Sequence, residues 1–570
     1  MQSLLPERPW LKFYPPDLPA SIDYPKIPVY SLLTESAKAG PSQTALVFQG
    51  KRLTYGELNR LSNRFANGLK VLGISKGDRI AIILPNIPQF VICFYGALKT
   101  GAVVVPTNPI YREKELEFQL ENSGAVVAVI LNNISSGTDF YSEFEKCRSR
   151  LSKIRQVFVT SITDFLPPIK KQLAGPVKKI QTVRRNGTLN LVDFLRKQSD
   201  QAPGQKSGRF DPLDEIAVLQ YTGGTTGISK GAMLTHYNLV SNAIVANRLR
   251  RGKHGESATL AVIPFFHIYG LTSAMNAPVQ AGEKIILLPR FHPDEVLDVI
   301  ENEKINVFPG VPAMYLALIH HPSLLKHSLS SIKVCVSGAA PLPAEVQKRF
   351  NQITGGHLVE GYGLTEASPI THANLIGSDV VTKAGSIGIP VPDTDAKIVD
   401  IETGLITLPV GDVGELAVKG PQVMKGYWNN PSETANIFRG EWMLTGDIVK
   451  RDEDGFFYVV DRKKDMIDVS GFKVWPREVE EVLFSHPDVK DVAVIGIDDD
   501  RTGEAVKAFV VLKDKNKNPG ADALLEFCRE RIAPFKTPKA IEFREDLPKT
   551  LVGKVLRRKL REEEKNPPSA

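Results

Sequence analysis

The residues that could do chemistry gather first in the segment Tyr221–Gly231, which directly follows the apolar stretch Ile216–Leu219. Glycines within the segment permit tight turns and let backbone amides approach an anion. The segment also contains hydroxyl donors and a lysine. Its candidate phosphate-binding residues are Thr222, Gly223, Gly224, Thr225, Thr226, Gly227, Ser229 and Lys230. This combination predicts a phosphate cradle. It differs from the P-loop of nucleoside triphosphatases, because the spacing Gly-x-x-x-x-Gly-Lys-Ser/Thr is not met.

A second chemical segment is Glu360–Glu366, in which two glycines flank Tyr362. The tyrosine ring could stack on a purine, and the glycines would let backbone groups approach that purine. Thr365 could donate a hydrogen bond to a phosphoryl oxygen. Glu366 could hold Mg²⁺, which binds one or two carboxylates together with substrate phosphates. A structural turn would explain the glycines but not Glu366.

Two further residues are ambiguous when they are considered alone. Asp447 ends a strand-like run at Thr-Gly-Asp, where a carboxylate could accept hydrogen bonds from both ribose hydroxyls or simply stabilise a turn. Lys554 follows Gly553 near the C-terminus, and a lone Gly-Lys pair is normally a solvated turn.

The N-terminal elements that must position these residues alternate between strand and helix patterns. Strands are predicted at Arg79–Leu84, Val103–Val105 and Ala125–Leu131, with helices leading to Leu72 and spanning Gln89–Thr100. This alternation predicts parallel α/β sheets. The apolar region 80–106 is interrupted by Pro85, Asn86, Pro88, Gln89 and Lys99. We therefore expect a buried strand–helix–strand unit there and no membrane span.

The C-terminal part changes character twice. Residues 370–460 are rich in short strands and glycine turns, which predicts a small β-rich barrel or sheet. The charged run Asp461–Asp465 is typical of a linker. Beyond it, strands are predicted at Val489–Ile497 and Ala505–Lys513, and helices at Pro476–Phe484 and Ala521–Ile532. They predict a separate α/β domain of about one hundred residues.

Composition excludes several classes of protein. The 570 residues include 71 Lys and Arg, 64 Asp and Glu, 42% hydrophobic residues and four scattered cysteines. These proportions exclude disordered, collagenous and disulfide-scaffold chains and a cysteine-based zinc site. A net charge of +7 gives no argument for a nucleic-acid partner. The first ten residues lack the layout of a secretory signal, so we expect a cytoplasmic enzyme.

Residues 132–208 form a less regular stretch with basic clusters at 169–171, 177–179 and 184–185. This stretch is either a solvated surface insertion or a basic face that rests on an anionic membrane, at its inner face, beside a lipid-derived substrate. Pro167, Pro168 and Pro176 would break a long amphipathic helix and favour the first interpretation.

Eight motifs, in order along the chain, resemble those of the adenylate-forming superfamily. This superfamily comprises acyl- and aryl-CoA synthetases, firefly-type luciferases and peptide-synthetase adenylation domains. The motifs are Thr222–Gly231, Pro264–Gly270, Ser337–Pro341, Glu360–Glu366, Trp442–Asp447, Asp461–Asp465, Val469–Lys473 and Pro548–Lys554. The resemblance covers essentially the whole chain and is strongest to AMP-forming medium- and long-chain fatty-acid–CoA ligases.

The resemblance implies an α/β fold with a large N-terminal domain and a small mobile C-terminal α/β domain. The N-terminal domain, residues 1–461, would hold two stacked α/β subdomains and a distorted β-barrel at about 370–460. Residues 462–465 would form the hinge, and residues 466–570 would form the mobile domain that carries the catalytic lysine.

The resemblance also implies roles for individual residues. Lys554, Thr226, Glu366 and Lys230 would be catalytic, with Glu366 and Thr226 holding Mg²⁺. The residues implied to bind ATP or AMP are Thr222, Gly223, Gly224, Thr225, Thr226, Gly227, Lys230, Gly338, Ala339, Gly361, Tyr362, Gly363, Thr365, Asp447, Arg462 and Lys554. Asp447 and Arg462 would contact the ribose, and Lys554 would bridge the reacting carboxylate and the α-phosphate.

For the other substrates the implied residues are fewer. The acyl pocket would be lined by His267, Tyr269, Val311, Met314 and Gly338. His267 and Tyr269 are either gate residues or core aromatics. CoA would meet Ser470, Gly471 and Lys473 after rotation at the hinge residue Lys464. At Asp468 luciferases and aryl-CoA ligases usually have lysine, so no contact is carried over there.

The implied reaction has two halves: a carboxylate and Mg·ATP give an acyl-adenylate and pyrophosphate, and a thiol then displaces AMP. A short charged tail follows Lys554, so we expect free CoA as the thiol. The segment Pro264–Tyr269 lacks the aspartate with which amino-acid-activating relatives pair the substrate ammonium.

The main hypothesis is therefore a medium- or long-chain fatty-acid–CoA ligase. An aryl-acid ligase of the 4-coumarate type and a catalytically inactive regulator that binds lipid or nucleotide are the alternatives. The sequence leaves chain length and a homodimer open.

Overall fold

The structure is a computed structural model that describes residues 8–135, 138–170, 172, 185–204, 210–222, 229–514, 517–550 and 555–565. Within them, α-helices occupy Tyr30–Ala39, Tyr55–Val71, Pro88–Lys99, Glu113–Ser123, Ser142–Arg148, Leu191–Arg196, His236–Arg250, Ala277–Gln280, Pro293–Glu303, Pro312–Ile319, Ala344–Thr354, Pro431–Ile437, Pro476–Phe484, Ala521–Arg529 and Arg557–Lys565. A π-helix spans Gly270–Asn276, and short 3₁₀-helices span Pro9–Phe13, Leu324–Lys326, Thr365–Ala367, Lys463–Asp465 and Pro534–Lys536.

Two large sheets with parallel centres organise the N-terminal part. In the described residues, the nine-stranded sheet has the order Ile389–Pro390, Ile370–Ala373, His357–Gly363, Val334–Ser337, Val307–Gly310, Ala258–Ala261, Lys284–Leu287, Thr44–Phe48 and Lys51–Thr54. The seven-stranded sheet has the order Lys230–Thr235, Ile216–Thr222, Val103–Pro106, Arg79–Ile83, Ala125–Leu131, Gln156–Thr160 and Leu189–Asn190. A two-stranded ribbon pairs Ile134–Ser135 with Thr138–Asp139.

The predicted parallel α/β arrangement is confirmed in both sheets. Val334–Ser337 pairs in parallel with both Val307–Gly310 and His357–Gly363. Arg79–Ile83 pairs in parallel with both Val103–Pro106 and Ala125–Leu131. Because the carboxyl ends of parallel strands lie at one edge of a sheet, the loops after these strands meet on one side, where ligands bind in such folds.

The apolar region 80–106 is a buried strand–helix–strand unit, as predicted. The helix Pro88–Lys99 has every residue from Pro88 to Leu98 buried. A helix that is apolar all round is stable only in a protein core or a membrane, and here both flanking strands belong to the seven-stranded sheet. In the described part of the chain, none of the helices has the length and apolar character needed to cross a membrane.

The β-rich region is divided between two sheets. Ile370–Ala373 and Ile389–Pro390 extend the nine-stranded sheet in antiparallel fashion. A separate five-stranded antiparallel sheet contains Asp395–Val399, Gly414–Lys419, Trp442–Arg451, Phe438–Arg439 and Phe457–Arg462 in the described chain. This separate sheet thus begins at residue 395 rather than 370, because Ile370–Ala373 pairs with His357–Gly363 and Ile389–Pro390 pairs with Ile370–Ala373.

The C-terminal part has its own sheet and core. Among the described residues, its strands are Phe472–Val474, Ile467–Val469, Gly503–Leu512, Val489–Asp499 and Ala540–Phe543. Helices Pro476–Phe484 and Ala521–Arg529 pack against this sheet around Val479, Leu483 and Leu524. The predicted α/β class with a large N-terminal domain and a C-terminal α/β domain is confirmed.

Candidate active site

A cavity of 1930 Å³ lies at the carboxyl ends of the parallel strands and reaches the C-terminal part of the chain. Fourteen of the sequence-predicted site residues line it: Thr222, Lys230, His267, Tyr269, Gly338, Ala339, Gly361, Tyr362, Gly363, Thr365, Glu366, Asp447, Arg462 and Lys464. These fourteen residues span 242 positions of the sequence, from Thr222 to Lys464. The tertiary fold therefore brings most of the predicted site together.

The phosphate-cradle segment is anchored at both ends by strand pairing. Thr222 is directly opposite Lys230 in the antiparallel pair formed by Ile216–Thr222 and Lys230–Thr235. The Ser229 hydroxyl donates to the Thr222 carbonyl oxygen at 2.5 Å. Residues Gly223, Gly224, Thr225, Thr226 and Gly227 lie outside the described residues, so their predicted roles stay predictions.

Lys230 has an acidic and an aromatic neighbour at the cavity. Its ammonium group forms an ion pair with the Glu433 carboxylate. The same nitrogen lies 5.3 Å from the centroid of the Tyr427 ring, within the range of a cation–π contact. Only 14% of the Lys230 side chain is exposed, so the cation is held at a defined position.

Glu366 is held by the same aromatic residue. The Tyr427 hydroxyl donates to Glu366 Oε1 at 2.8 Å, and the half-buried Glu366 side chain lines the cavity. Removal from water raises the pKa of the Glu366 carboxyl, although the Tyr427 hydrogen bond opposes this. A carboxylate held at the same cavity as the cradle lysine fits the modest protein contribution that Mg²⁺ needs.

Asp447 and Arg462 are placed together by strand register. They are directly opposite each other in the antiparallel pair of Trp442–Arg451 with Phe457–Arg462. The Arg462 Nε atom is 3.5 Å from Asp447 Oδ1, and the Tyr362 hydroxyl donates to Asp447 Oδ2 at 2.5 Å. Desolvation and the Asp447 charge raise the pKa of Tyr362 well above its usual range, so the hydroxyl remains a donor.

Two glycines are required by close approach at this site. A Cβ atom at Gly363 would lie 2.1 Å from the carbonyl oxygen of Pro369. A Cβ atom at Gly338 would lie 3.2 Å from Cε1 of Tyr269. The Gly363 contact is with a backbone atom and cannot be relieved by a rotamer change. A Cβ at Gly338 would instead lie against the Tyr269 ring and narrow the cavity there.

The predicted acyl-pocket residues divide into two groups. His267, Tyr269 and Gly338 line the cavity. The Tyr269 hydroxyl donates to the Val336 carbonyl oxygen at 2.6 Å, and burial lowers the pKa of His267 to about 4, which keeps the imidazole neutral. Val311 and Met314 do not line the cavity. They are buried in a hydrophobic cluster, because the helix Pro312–Ile319 packs against the helix Ala344–Thr354.

Glu360 is a buried carboxyl at the cavity wall. Its Oε2 atom accepts a hydrogen bond from the Leu342 backbone N–H at 3.1 Å. This bond ties the strand His357–Gly363 to the loop that follows Ser337. Desolvation raises the Glu360 pKa to about 7, against the lowering effects of the Leu342 hydrogen bond and the Arg477 charge.

The predicted hinge borders the same cavity. Lys464 lies in the 3₁₀-helix Lys463–Asp465, and its neighbour Lys463 forms a 2.9 Å ion pair with Glu415. Desolvation and the nearby Arg462 charge lower the pKa of Lys464 to about 8. The predicted catalytic residue Lys554 lies outside the described residues, but Thr550 and Val555 on either side of segment 551–554 line the cavity.

The predicted CoA residues lie elsewhere in this structure. Ser470 and Gly471 form an exposed turn with positive φ angles of 53° and 85°, between the strands Ile467–Val469 and Phe472–Val474. Asp468 Oδ1 accepts a 2.6 Å hydrogen bond from the Gly471 N–H, and Lys473 is its cross-strand partner. Asp468 therefore has a local role in stabilising the turn.

Sequence reasoning missed the residues that support the cradle lysine and Glu366. Glu433 is 203 positions from Lys230, and Tyr427 is 61 positions from Glu366. A bridge between Ala232 and Tyr427 and a 2.8 Å hydrogen bond from Trp428 N to Gly231 O bring them together. No periodicity in the sequence indicates this pairing.

Family comparison gives two matches along the chain. Residues 33–428 match the model of the AMP-binding enzyme family, and residues 478–554 match that of the AMP-binding enzyme C-terminal domain.

Relatives match over nearly the whole chain. The chain is 46% identical to a long-chain-fatty-acid–CoA ligase of Bacillus subtilis, over 98% of both chains. It is 38% identical to a long-chain-fatty-acid–CoA ligase of Salmonella typhimurium, over 97% of this chain and 98% of that one. Among solved structures, the ATP-bound MatB from Rhodopseudomonas palustris has a TM-score of 0.81 and 30% identity, covering 95% of this chain and 99% of that one.

Proposed function

The chain belongs to the AMP-binding enzyme family, and we propose that it is an AMP-forming ligase that joins a long-chain fatty acid to coenzyme A. The names of the relatives with 46% and 38% identity support this proposal. The observation that carries it is the single cavity that holds Lys230, Glu366, Asp447 and both flanks of the Lys554 segment.

In the first half-reaction the fatty-acid carboxylate attacks the α-phosphate of ATP, and pyrophosphate leaves. Lys230 and the hydroxyls of the cradle bind the phosphates, and the Lys230 ammonium exchanges Glu433 for phosphate oxygens. Asp447 accepts hydrogen bonds from the ribose hydroxyls and is held in place by Tyr362 and Arg462. No protein nucleophile is needed, because positioning and fixed charges lower the barrier to phosphoryl transfer.

Glu366 and Thr226 would hold Mg²⁺ with the ATP phosphates. When bound, the ion neutralises charge on the phosphate oxygens. The fit rests on Glu366, whose Oε1 accepts a hydrogen bond from Tyr427 and whose half-buried side chain lines the same cavity as Lys230. Lys554 would stabilise the charge that builds at the α-phosphate.

The acyl group would lie along the apolar side of the cavity. Tyr269, Ile268 and Val336 contribute to this wall together with the backbone of Gly338. Apolar walls with few polar groups are typical of lipid-binding pockets. The neutral His267 at its entrance adds no charge that would repel or trap the fatty-acid carboxylate.

The second half-reaction requires a thiol to reach the acyl-adenylate. In this structure the flanks of Lys554 face the cavity, whereas Ser470, Gly471 and Lys473 are exposed outside it. We assign this arrangement to adenylate formation. Rotation at Lys464 would bring the Ser470–Lys473 turn to the cavity, where CoA attacks the acyl carbon and AMP leaves.

Two finer features remain part of the proposal. Contact with an anionic membrane would involve the basic stretch 169–185. Most of this stretch lies outside the described residues. In its described part, Arg185 forms an ion pair with Asp139 at 2.6 Å. The sequence leaves a homodimer open.

The decisive experiment is ATP–pyrophosphate exchange and thioester formation with a panel of acids. Octanoate and palmitate should both support exchange, and palmitate with CoA should yield AMP and palmitoyl-CoA in equal amounts. Exchange with cinnamates alone would replace the proposal by an aryl-acid ligase. Absence of exchange with every acid would favour a binding protein without catalysis.

A further inference from the structure

A cluster of six charged residues lies where the strand Phe457–Arg462 enters the hinge. Its members are Asp461, Asp465, Arg477, Glu480, Arg557 and Arg561. Arg557 Nη2 is 2.7 Å from Glu480 Oε2, and Arg557 Nη1 is 3.2 Å from Asp465 Oδ2. Arg561 Nη1 is 3.1 Å from Asp465 Oδ1. Both partners of these three pairs follow Lys464 in the chain.

Asp461 is the cluster member that precedes Lys464. Its Oδ2 atom accepts a hydrogen bond from the Arg477 backbone N–H at 2.7 Å, and its Oδ1 atom is 3.7 Å from Arg557 Nη1. Arg477 Nη1 also donates to the Val459 carbonyl oxygen at 2.8 Å. The Asp461 side chain is 3% exposed, and a carboxylate that is so buried is stable only with such partners.

Rotation about Lys464 would affect these contacts unequally. The pairs of Arg557 with Asp465 and Glu480 would move as one body, since all three residues follow Lys464. The contacts of Asp461 with Arg477 and Arg557 cross the hinge and would have to break. They therefore belong to the arrangement in which Val555 and Arg557 line the cavity.

We propose that Asp461 is a positioning residue that latches the C-terminal domain in the adenylate-forming arrangement through Arg477 and Arg557. This inference rests on the proposed function. Arg557 is three positions after Lys554, so the same latch fixes the chain just beyond the catalytic lysine. Release of the latch precedes thioester formation.

The test measures the two half-reactions separately in Asp461→Asn and Arg557→Met. The first is pyrophosphate release from ATP and palmitate, and the second is palmitoyl-CoA formation from supplied palmitoyl-AMP and CoA. We expect the rate of pyrophosphate release to fall about tenfold, because that factor corresponds to the loss of one charge-assisted hydrogen bond. The rate of palmitoyl-CoA formation should be unchanged or faster. Arg557→Lys, which keeps the charge, should recover part of the first rate.

Arg561→Met is the matched control, because it removes a guanidinium from the same cluster and helix without breaking a contact across the hinge. Its ratio of the two rates should equal that of the wild type, even if its thermal midpoint falls. Equal losses in both half-reactions of Asp461→Asn, or the same altered ratio in Arg561→Met, would overturn the latch. A wild type that makes neither palmitoyl-AMP nor palmitoyl-CoA would instead refute the proposed function.

Discussion

At the scale of single residues, the site depends on supports that are remote in sequence. Tyr427 donates to Glu366 and lies beside the Lys230 ammonium, so one residue orients both groups that we propose to face the ATP phosphates. Tyr362 and Arg462 do the same for Asp447. Fixed charges that need no rearrangement during the reaction are the main source of catalysis in phosphoryl transfer.

Gly363→Ala should disrupt the nucleotide site. The added Cβ would meet the Pro369 carbonyl oxygen at 2.1 Å, so the strand carrying Tyr362 must shift. We expect the KM for ATP in pyrophosphate exchange to rise about tenfold, because small displacements at a phosphoryl-transfer site are costly. Gly204→Ala is the control, since a Cβ there meets no atom of the described residues within 4 Å. An unchanged KM in Gly363→Ala would contradict the prediction.

Glu360→Gln should change how stability depends on pH. The folded-state pKa of Glu360 is raised from 4.5 to about 7, so the folded protein binds the proton more tightly than the unfolded chain. Glu360 therefore lowers stability progressively as pH rises from about 4.5 to 7, by roughly 3 kcal/mol in total. Glutamine can still accept the Leu342 hydrogen bond without this cost.

Calorimetric scans at pH 5 and pH 8 test this prediction. The thermal midpoint of Glu360→Gln should exceed that of the wild type by several degrees at pH 8, on the order of 2–4 °C per kcal/mol, and by much less at pH 5. The same difference at both pH values would show that Glu360 does not titrate in this range.

At the scale of elements, the proposed hinge is a short segment between two independently packed sheets. The 3₁₀-helix Lys463–Asp465 follows directly on the strand Phe457–Arg462 and precedes the strand Ile467–Val469. A rotation of the C-terminal domain must be absorbed by the backbone of these few residues.

Lys464→Pro should separate the two half-reactions. Proline fixes φ near −65° and restricts the preceding residue, so rotation at this position is hindered. We expect palmitoyl-CoA formation from supplied palmitoyl-AMP to fall at least about tenfold, with pyrophosphate release from ATP and palmitate reduced far less. Lys464→Ala, which removes the side chain but leaves the backbone free, is the control. Parallel losses in both steps would argue against a hinge here.

At the scale of the whole molecule, the cavity joins parts of the chain that have separate cores. Residues from the parallel sheets, the five-stranded antiparallel sheet and the final helix Arg557–Lys565 all contribute to its wall. A ligand that fills it should therefore stabilise the domains jointly rather than one of them.

A hydrolysis-resistant palmitoyl-adenylate analogue tests this joint stabilisation by calorimetry. At about one hundred times its Kd it should add roughly 2.7 kcal/mol to the stability of the state that binds it. If two unfolding transitions occur without ligand, both should shift upward. A shift confined to one transition would show that the analogue contacts a single domain.

Much of the fold was predictable from the sequence. The strands Arg79–Ile83 and Ala125–Leu131 and the helix Tyr55–Val71 follow from local apolar patterns, and Thr54 with Glu57 forms the capping box that starts that helix. The division of the β-rich region was not predictable, because strands of the same pattern can join either sheet and only long-range pairing decides.

For the site, the sequence by itself determined the residues that carry local chemistry: the glycine and threonine cradle with Lys230, the Glu360–Glu366 segment and Asp447. The first two are short motifs whose residue types suffice to predict what they bind, whereas for Asp447 the residues alone left a ribose contact and a turn open. Only the tertiary structure decided that Glu433 pairs with Lys230, that Asp461 contacts Arg477 and Arg557, and that Val311 and Met314 lie in the core. Such contacts join residues far apart in the chain, and side-chain packing, which no local pattern encodes, selects among many apolar or charged candidates.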